Sequence, residues 1–373
     1  MKNAASCSGI VLAAGRSSRF GSCKGISLIE GLPAVVRCIN LLTRGGASFI
    51  VTVTGAWQQE VQSAVPAGLC SFTHNANFED GMFSSILTGI QSLPPETEGV
   101  LILPVDIPMV APQTVEKLIE GWRVNKETWL VPVCMKEGRK HEGHPVLIPA
   151  AYRNDLKKWS GHGGLEGFLR TREQEKMTVR VFDEGTLMDM DAPEDLESLR
   201  TYARRIGAPS QETIESLWSA ARTPPAVIFH QRKVAEVALA IAERCGKKVR
   251  LDIDLLKAAA LLHDILKGQP QHAERGALFI EENGFSAVAE LVRGHMDLPE
   301  ETSREAEVLY LADKYVDGTA IVPLQVREKS ILKTHGRNCA ALASAMKRMK
   351  TAYEVEARLK QVAEEMWIDG VSG

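Results

Sequence analysis

The sequence predicts a layered α/β domain followed by an all-α domain, on three observations. Up to about residue 200, short apolar runs of strand length alternate with helical stretches. Beyond that point every strong pattern is helical. Between the two, "APSQETIESLWSAARTPPAV" mixes turn formers with a short amphipathic segment and a Pro-Pro pair. These shifts set the expected boundaries: a first domain over residues 1–203, a linker over 204–224, a helical domain over 225–330 and amphipathic helices over 331–373.

In chain order, the strands expected in the first domain are "SGIVLAA", "SFIVTVTG", "GVLILPVD", "TWLVPVC", "HPVLIP" and "MTVRVF". Helical patterns lie between them in "PAVVRCINLLTR", "GMFSSILTGIQSL" and "APQTVEKLIEGW". Near-continuous apolar strands separated by helices predict a mostly parallel, Rossmann-like sheet covered on both faces. The helical half reads as "HQRKVAEVALAIAERCG", "DIDLLKAAALLHDILKG", "HAERGALFIEENG", "SAVAELVRGH" and "REAEVLYLADKYVDG". A last run from Arg337 to Trp367 carries Leu342, Ala345, Met346, Met349 and Ala352 at helical spacing, a stripe of the kind that packs on its own domain.

A chain of 373 residues, 45% hydrophobic and 24% charged, is long enough for two ordinary cores. A net charge of −3 offers no bulk basicity for nucleic acid or an anionic membrane. No apolar stretch approaches the ~20 residues of a membrane span. The opening "MKNAASCSGIVLAAG" lacks the long apolar region and cleavage site of a signal peptide. Seven cysteines without a CxxC pair argue against a zinc knuckle or a disulfide framework, so the expected setting is the cytoplasm with reduced thiols.

The first functional signal is "GIVLAAGRSSRFGSCKG", residues 9–25. An apolar strand ends here in Gly15 and Gly21, which allow close backbone approach to a ligand, and in the short donors Ser17 and Ser18. Arg16, Arg19 and Lys24 supply charge for a triphosphate. The spacing is neither a P-loop nor GxGxxG, so the residues alone leave a phosphate loop and a solvated turn both open.

The segment resembles the LAAGxSxRxGxxK signature of nucleotidyltransferases that act on molybdopterin and sugar phosphates. Leu12, Ala13, Ala14, Gly15, Ser17, Arg19, Gly21 and Lys24 fit it in register. "NANFEDGMFSSILTGI", "LPVDIP", "GHPVLIP" and "DMDAPEDL" follow in the family's order, so the resemblance covers residues 7–200. It implies nucleotide binding by Leu12, Ala13, Ala14, Gly15, Ser17, Arg19, Lys24, Gly81 and Ser85. Arg19, Lys24 and Asp106 would be the catalytic set, with Mg²⁺ held by Asp106 and by Asp191 or its neighbour Asp189. By itself "DAPEDL" also reads as a helix start capped by Asp191, with Glu194 in the capping-box position.

Ala13-Ala14-Gly15 is similar to the CTP users of the family, the molybdenum cofactor cytidylyltransferases, which implies CTP and molybdopterin as substrates. "SGHGGLEGFLR" departs from their pattern, with His162 in place of an Asp and Glu166 near the expected Arg. Another phosphorylated sugar or polyol is the alternative acceptor. A molybdoenzyme or its chaperone is the implied protein partner. His144 also reads as a packed histidine holding a strand end. Cys23, beside Lys24 in a basic loop, reads either as a low-pKa thiol that would make the transferase redox-sensitive or, as the preferred reading, as a small residue tolerated there.

In the second half, His263-Asp264 falls in "AAALLHDILKG". His230 opens one helix, His272 begins another, His295 ends a third and Asp313 sits in "LYLADK". Imidazole with carboxylate suits Mn, Fe, Co, Ni or Zn rather than Ca²⁺. This order resembles the HD superfamily of metal-dependent phosphohydrolases over residues 225–320. The resemblance implies His230, His263, Asp264 and Asp313 as the core ligands, with His272 and His295 as the extra histidines of two-metal members. Lys267 stands where it would neutralise a substrate phosphate or complement the helix end beside Gly268. A sensor or chaperone with one inactive domain is the alternative to two working enzymes.

Overall fold

The computed structural model of the chain describes residues 6–205, 207–246, 249–335 and 339–363. Residues 336–338 and 364–373 of the expected C-terminal helices lie outside the described residues. The chain divides into two units, Met1–Arg204 and Arg205–Gly373.

The strands of the first unit are β1 (Cys7–Ala13), β2 (Leu28–Ile29), β3 (Leu32–Pro33), β4 (Phe49–Thr54), β5 (Ser71–His74), β6 (Gly99–Pro104), β7 (Trp129–Lys136), β8 (Arg139–Glu142), β9 (Val146–Pro149) and β10 (Lys176–Arg180). Its helices are α1 (Ala34–Arg44), α2 (Gln58–Ala64), α3 (Met82–Gln91), α4 (Pro112–Val124), α5 (Arg153–Lys158), α6 (Gly164–Arg170) and α7 (Pro193–Arg204). β2 and β3 form a small hairpin; the other eight strands make one sheet in the order β10-β7-β9-β6-β1-β4-β5, with β8 on β7.

β1 is buried along its whole length and pairs in parallel with β4 on one side and β6 on the other. Alternate residues of the central strands feed two cores. Val11, Leu101 and Leu103 pack with α1 and α4 residues such as Ile39 and Leu118, while Ile10, Leu12, Val100 and Ile102 pack with Ile86 and Ile90 of α3. Gly89 lets α3 lie against the sheet, since a Cβ there would come 2.7 Å from Ile10. The sheet is mostly parallel, as expected, with β9 antiparallel to β6 and β7 and β8 antiparallel to β7.

From β1 the chain moves out to β4 and β5, then returns to β6 on the opposite side of β1. Such a reversal opens a crevice beyond the carboxyl ends of the two central strands. The loop after β1 and Asp106 after β6 both stand at that crevice.

The second unit is helical: α8 (Gln211–Ala221), α9 (Pro225–Cys245), α10 (Ile253–Leu262), α11 (His272–Glu282), α12 (Ser286–Gly294), α13 (Arg304–Tyr315), α14 (Leu324–His335) and α15 (Cys339–Val362). A two-residue hairpin, β11 (Val316–Asp317) with β12 (Ala320–Ile321), follows α13. Residues 204–224, expected as a linker, instead carry α8. Ser210 caps it by accepting from Thr213 N, and Trp218 Nε1 donates to the Leu261 carbonyl at 2.9 Å. The apolar stripe of α15 is buried at Met349, Ala352, Val355 and Leu359, while Leu342, Ala345 and Met346 are half-buried. Among the described residues no helix is long and apolar enough to cross a membrane.

Candidate active sites

The first site is a cleft of about 630 Å³ at the crevice. Its floor is the β1 end from Leu12 to Gly15, one wall is the loop through Lys24, and the other holds Gly81, Met82 and Ser85 at the start of α3. Ser17 takes a left-handed conformation (φ 52°), and its hydroxyl accepts from Lys24 N at 3.3 Å, closing the loop on itself. Trp57 Nε1 donates to the Arg16 carbonyl at 3.1 Å, and Arg16 pairs with Glu79, which ties the loop to the segment before α3.

At the crevice, Lys24 Nζ lies 2.8 Å from Asp191 Oδ1 and 3.4 Å from Asp106 Oδ2. Arg19 reaches Asp191 Oδ2 at 3.4 Å from the surface. Burial pushes the Asp106 carboxyl up against the pull of Lys24. The Lys24 hydrogen bond and charge hold Asp191 below the usual carboxylate range. Asp191, and not the exposed Asp189, is the carboxylate that meets Lys24. Met190 N donates to the Asp106 carbonyl at 2.9 Å and brings the second carboxylate beside the first. Asp191 does not cap α7. Asp195 does, accepting from Asp191 N and Ala192 N at 2.8 and 2.7 Å, in place of the Glu194 capping box. Asp106 and Asp191 are hard oxygen donors on one cation, a donor set that fits Mg²⁺.

Two contributors, Asn75 and Asp183, carry no sequence signal of their own. Asn75 Nδ2 donates to the hydroxyls of Ser84 and Ser85 at 2.8 and 2.9 Å, so Ser85 is anchored as well as cleft-lining. Asp183 is buried and accepts from Ala111 N, Thr114 Oγ1 and Gly185 N at 2.7, 2.7 and 3.0 Å, fixing the segment that leads to Asp191. Burial pushes its carboxyl up to about 6 despite those donors. His144 N donates to the Thr186 carbonyl, and burial lowers its ring to about 4. Of the two readings of Cys23 the reactive one is overturned: the thiol is buried, and burial raises its pKa.

The second site joins all six residues expected there. His230, His263 and Asp313 form one group and Asp264, His272 and His295 another, with the ligand atoms of each group within 4.8 Å of one another. Asp264 links them, 3.5 Å from His263 Nε2 through one oxygen and 3.2 Å from His272 Nε2 through the other. The Nδ1 atoms of His230, His263 and His295 lie 2.9, 2.9 and 2.6 Å from the carbonyls of Gly318, Ala260 and Val292. With a proton on each Nδ1, every Nε2 lone pair faces the cluster. The buried Nε2 atoms of His263 and His295 have no hydrogen-bond partner, as expected of atoms meant for a cation.

Burial opposes charge on Asp264, but His263, His272, His295 and Lys267 outweigh it and hold the carboxyl well below its usual range. Asp313 is held down in the same way, chiefly by Lys314 and then by His230 and His263. Lys267 contacts Asp264 directly. Lys314, which the motif reading passed over, is buried with Nζ 2.6 Å from Asp313 Oδ2.

Residues 9–177 match the family model described as a MobA-like NTP transferase domain, and residues 227–316 match that of the HD domain. The chain is similar to a molybdenum cofactor guanylyltransferase of Sinorhizobium fredii, 28% identical over 181 residues, 47% of this chain and 73% of that protein. A probable molybdenum cofactor guanylyltransferase of Bacillus cereus is 28% identical over 151 residues, 40% of this chain and 70% of that one. Among solved structures, a crystal structure from Mycobacterium tuberculosis matches with a TM-score of 0.47 and 20% identity, over 53% of this chain and all (100%) of that one. The two family matches bear out both resemblances read from the motifs.

Proposed function

Because the chain joins a MobA-like NTP transferase domain to an HD domain, we propose that it transfers a nucleoside monophosphate from an NTP to molybdopterin and releases pyrophosphate. An acceptor phosphate oxygen bonds to the α-phosphorus, the bond from that phosphorus to the oxygen bridging it to the β-phosphate breaks, and pyrophosphate leaves. The observation that carries this is Lys24, held between Asp106 and Asp191 in a cleft whose wall includes the start of α3.

Lys24 would stabilise charge on the α-phosphoryl oxygens, and Arg19 would meet the leaving pyrophosphate. The positive end of α3 favours anionic groups at the Gly81 side. Asp106 and Asp191 would hold Mg²⁺, which when bound supplies charge neutralisation at the phosphates. CTP is the proposed nucleotide, from Ala13-Ala14-Gly15. The names of the two curated relatives favour GTP as the second reading.

The HD unit is proposed as a phosphohydrolase holding a transition metal pair, supported by the unpartnered Nε2 atoms of His263 and His295. The seven free cysteines suit a cytoplasmic setting. Pyrophosphate release from CTP, GTP, ATP and UTP with Mg²⁺, with and without molybdopterin, tests the first unit. Release with CTP only when molybdopterin is present is expected. No release from folded protein with any nucleotide would reject the transferase.

A further inference from the structure

We infer that the C-terminal helices α14 and α15 select the substrate of the metal cluster by holding the alcohol part, about one nucleoside in size, of a phosphomonoester. This rests on the phosphohydrolase reading of the cluster. A cleft of about 360 Å³ joins the cluster to these helices. Its inner end is Asp264, His272, His295 and Asp313, with Lys267 and Lys314 beside them. Its outer end includes Ser330, Ile331 and Thr334 of α14 and Ala345 and Met349 of α15.

Both helices lie beyond residues 227–316, the span that matches the HD domain. The ionic end of the cleft therefore comes with the domain, and the outer end is built by an additional segment of this chain. Ser330 and Thr334 are one helical turn apart, and the Thr334 hydroxyl donates to the Ser330 carbonyl at 2.9 Å. That leaves its oxygen free to accept from a ligand hydroxyl. Ile331 and Met349 offer apolar surface for a ring. Arg348 is held by Asp297 through two contacts of 2.9 and 2.8 Å, so it walls the cleft without being free to grip an anion.

Size and charge narrow the ligand. A volume of about 360 Å³ is near the lower end of ligand pockets and gives room for one nucleoside-sized body. Lys267 and Lys314 already offset the Asp264 and Asp313 carboxylates. With divalent ions bound, the inner end favours a dianionic monoester over a monoanionic diester. In hydrolysis a water oxygen bonds to phosphorus, the ester P–O bond breaks, and the alcohol leaves with a proton from the water.

The test is calorimetric binding to the full-length, Mn²⁺-loaded protein. The probes are cytidine 5′-phosphonate, its methyl ester and inorganic phosphate. The wild type should bind the phosphonate at least about tenfold more tightly than its methyl ester. Ala345→Phe, which fills the outer end, should weaken the phosphonate about tenfold while leaving Mn²⁺ content and phosphate binding unchanged. Ser330→Ala with Thr334→Val should act in the same direction, about threefold, without adding bulk. Unchanged phosphonate binding in both variants, or equal affinity for the ester, would overturn the inference alone. A wild type that holds no Mn²⁺, or binds no inorganic phosphate, would remove the phosphohydrolase reading and the inference with it.

Discussion

The two sites hold their carboxylates in opposite ways. In the first unit Asp191 is 49% exposed and Asp106 25%, and a lysine stands between them. In the second, Asp264 is 4% exposed, His263 is fully buried, and the Nε2 atoms of His263 and His295 make no hydrogen bond, their nearest carboxylate oxygens standing 3.5 Å away. Buried imidazole nitrogens without a hydrogen bond are costly unless a cation completes them, even where Lys267 and Lys314 offset the carboxylates beside them. A half-exposed pair bridged by an ammonium is already satisfied. On the proposed function, the comparison separates a centre that would keep its metal from a site that would receive its cation together with an anionic substrate.

The largest expected effect that sharpens this contrast is Asp106→Asn, which should lower pyrophosphate release by about a hundredfold or more without altering metal in the HD unit. Transferase activity near wild type would sink the assignment. Chelation comes next: stripping transition metal should lower the unfolding midpoint of the helical unit by several degrees, for a linkage of about 3–4 kcal/mol. The α/β unit should keep its midpoint in differential scanning calorimetry, and a shift of both transitions would break the comparison.

A smaller effect concerns pH. Asp183, raised to about 6, binds its proton more tightly in the native state, so stability falls as pH rises from its ordinary carboxylate range through about 6. His144, lowered to about 4 from 6.5, is protonated less readily in the native state, so stability falls as pH drops from about 6.5 to about 4. The slopes oppose each other. Relative to wild type, His144→Gln should make the first unit less stable at pH 6 than at pH 4.5, by up to about 2 kcal/mol, and Asp183→Asn should do the reverse. Urea unfolding followed by tryptophan fluorescence reads both, and parallel pH profiles would show that neither group titrates as described. Smallest of all, Cys23→Ser should leave transferase activity under mild oxidant unchanged, because the native thiol is buried.

What the sequence made legible was what has a local signature. β1 reads as a strand because all of its residues are buried, and the six histidines and aspartates of the HD unit fall in a recognisable order. β8 escaped notice because Arg139–Glu142 is fully exposed and carries no apolar alternation. β5, a short edge strand of exposed and half-buried residues, escaped for the same reason. α8 showed in the sequence only as a short amphipathic segment among turn formers, although Ser210 marks its start. Asp183 is held chiefly by Ala111 and Thr114, some 70 residues away, and Lys314 matters only because α13 buries it beside Asp313. The choice between Asp189 and Asp191 likewise depended on which carboxylate the turn before α7 aims at Lys24.

The most direct test is metal analysis of the full-length protein after exhaustive dialysis. The account predicts about two transition-metal ions per chain, one for each ligand group, no retained Mg²⁺, and almost no metal in a variant carrying His263→Ala and Asp264→Ala. An unchanged metal content in that variant, or a wild type that retains none, would contradict it.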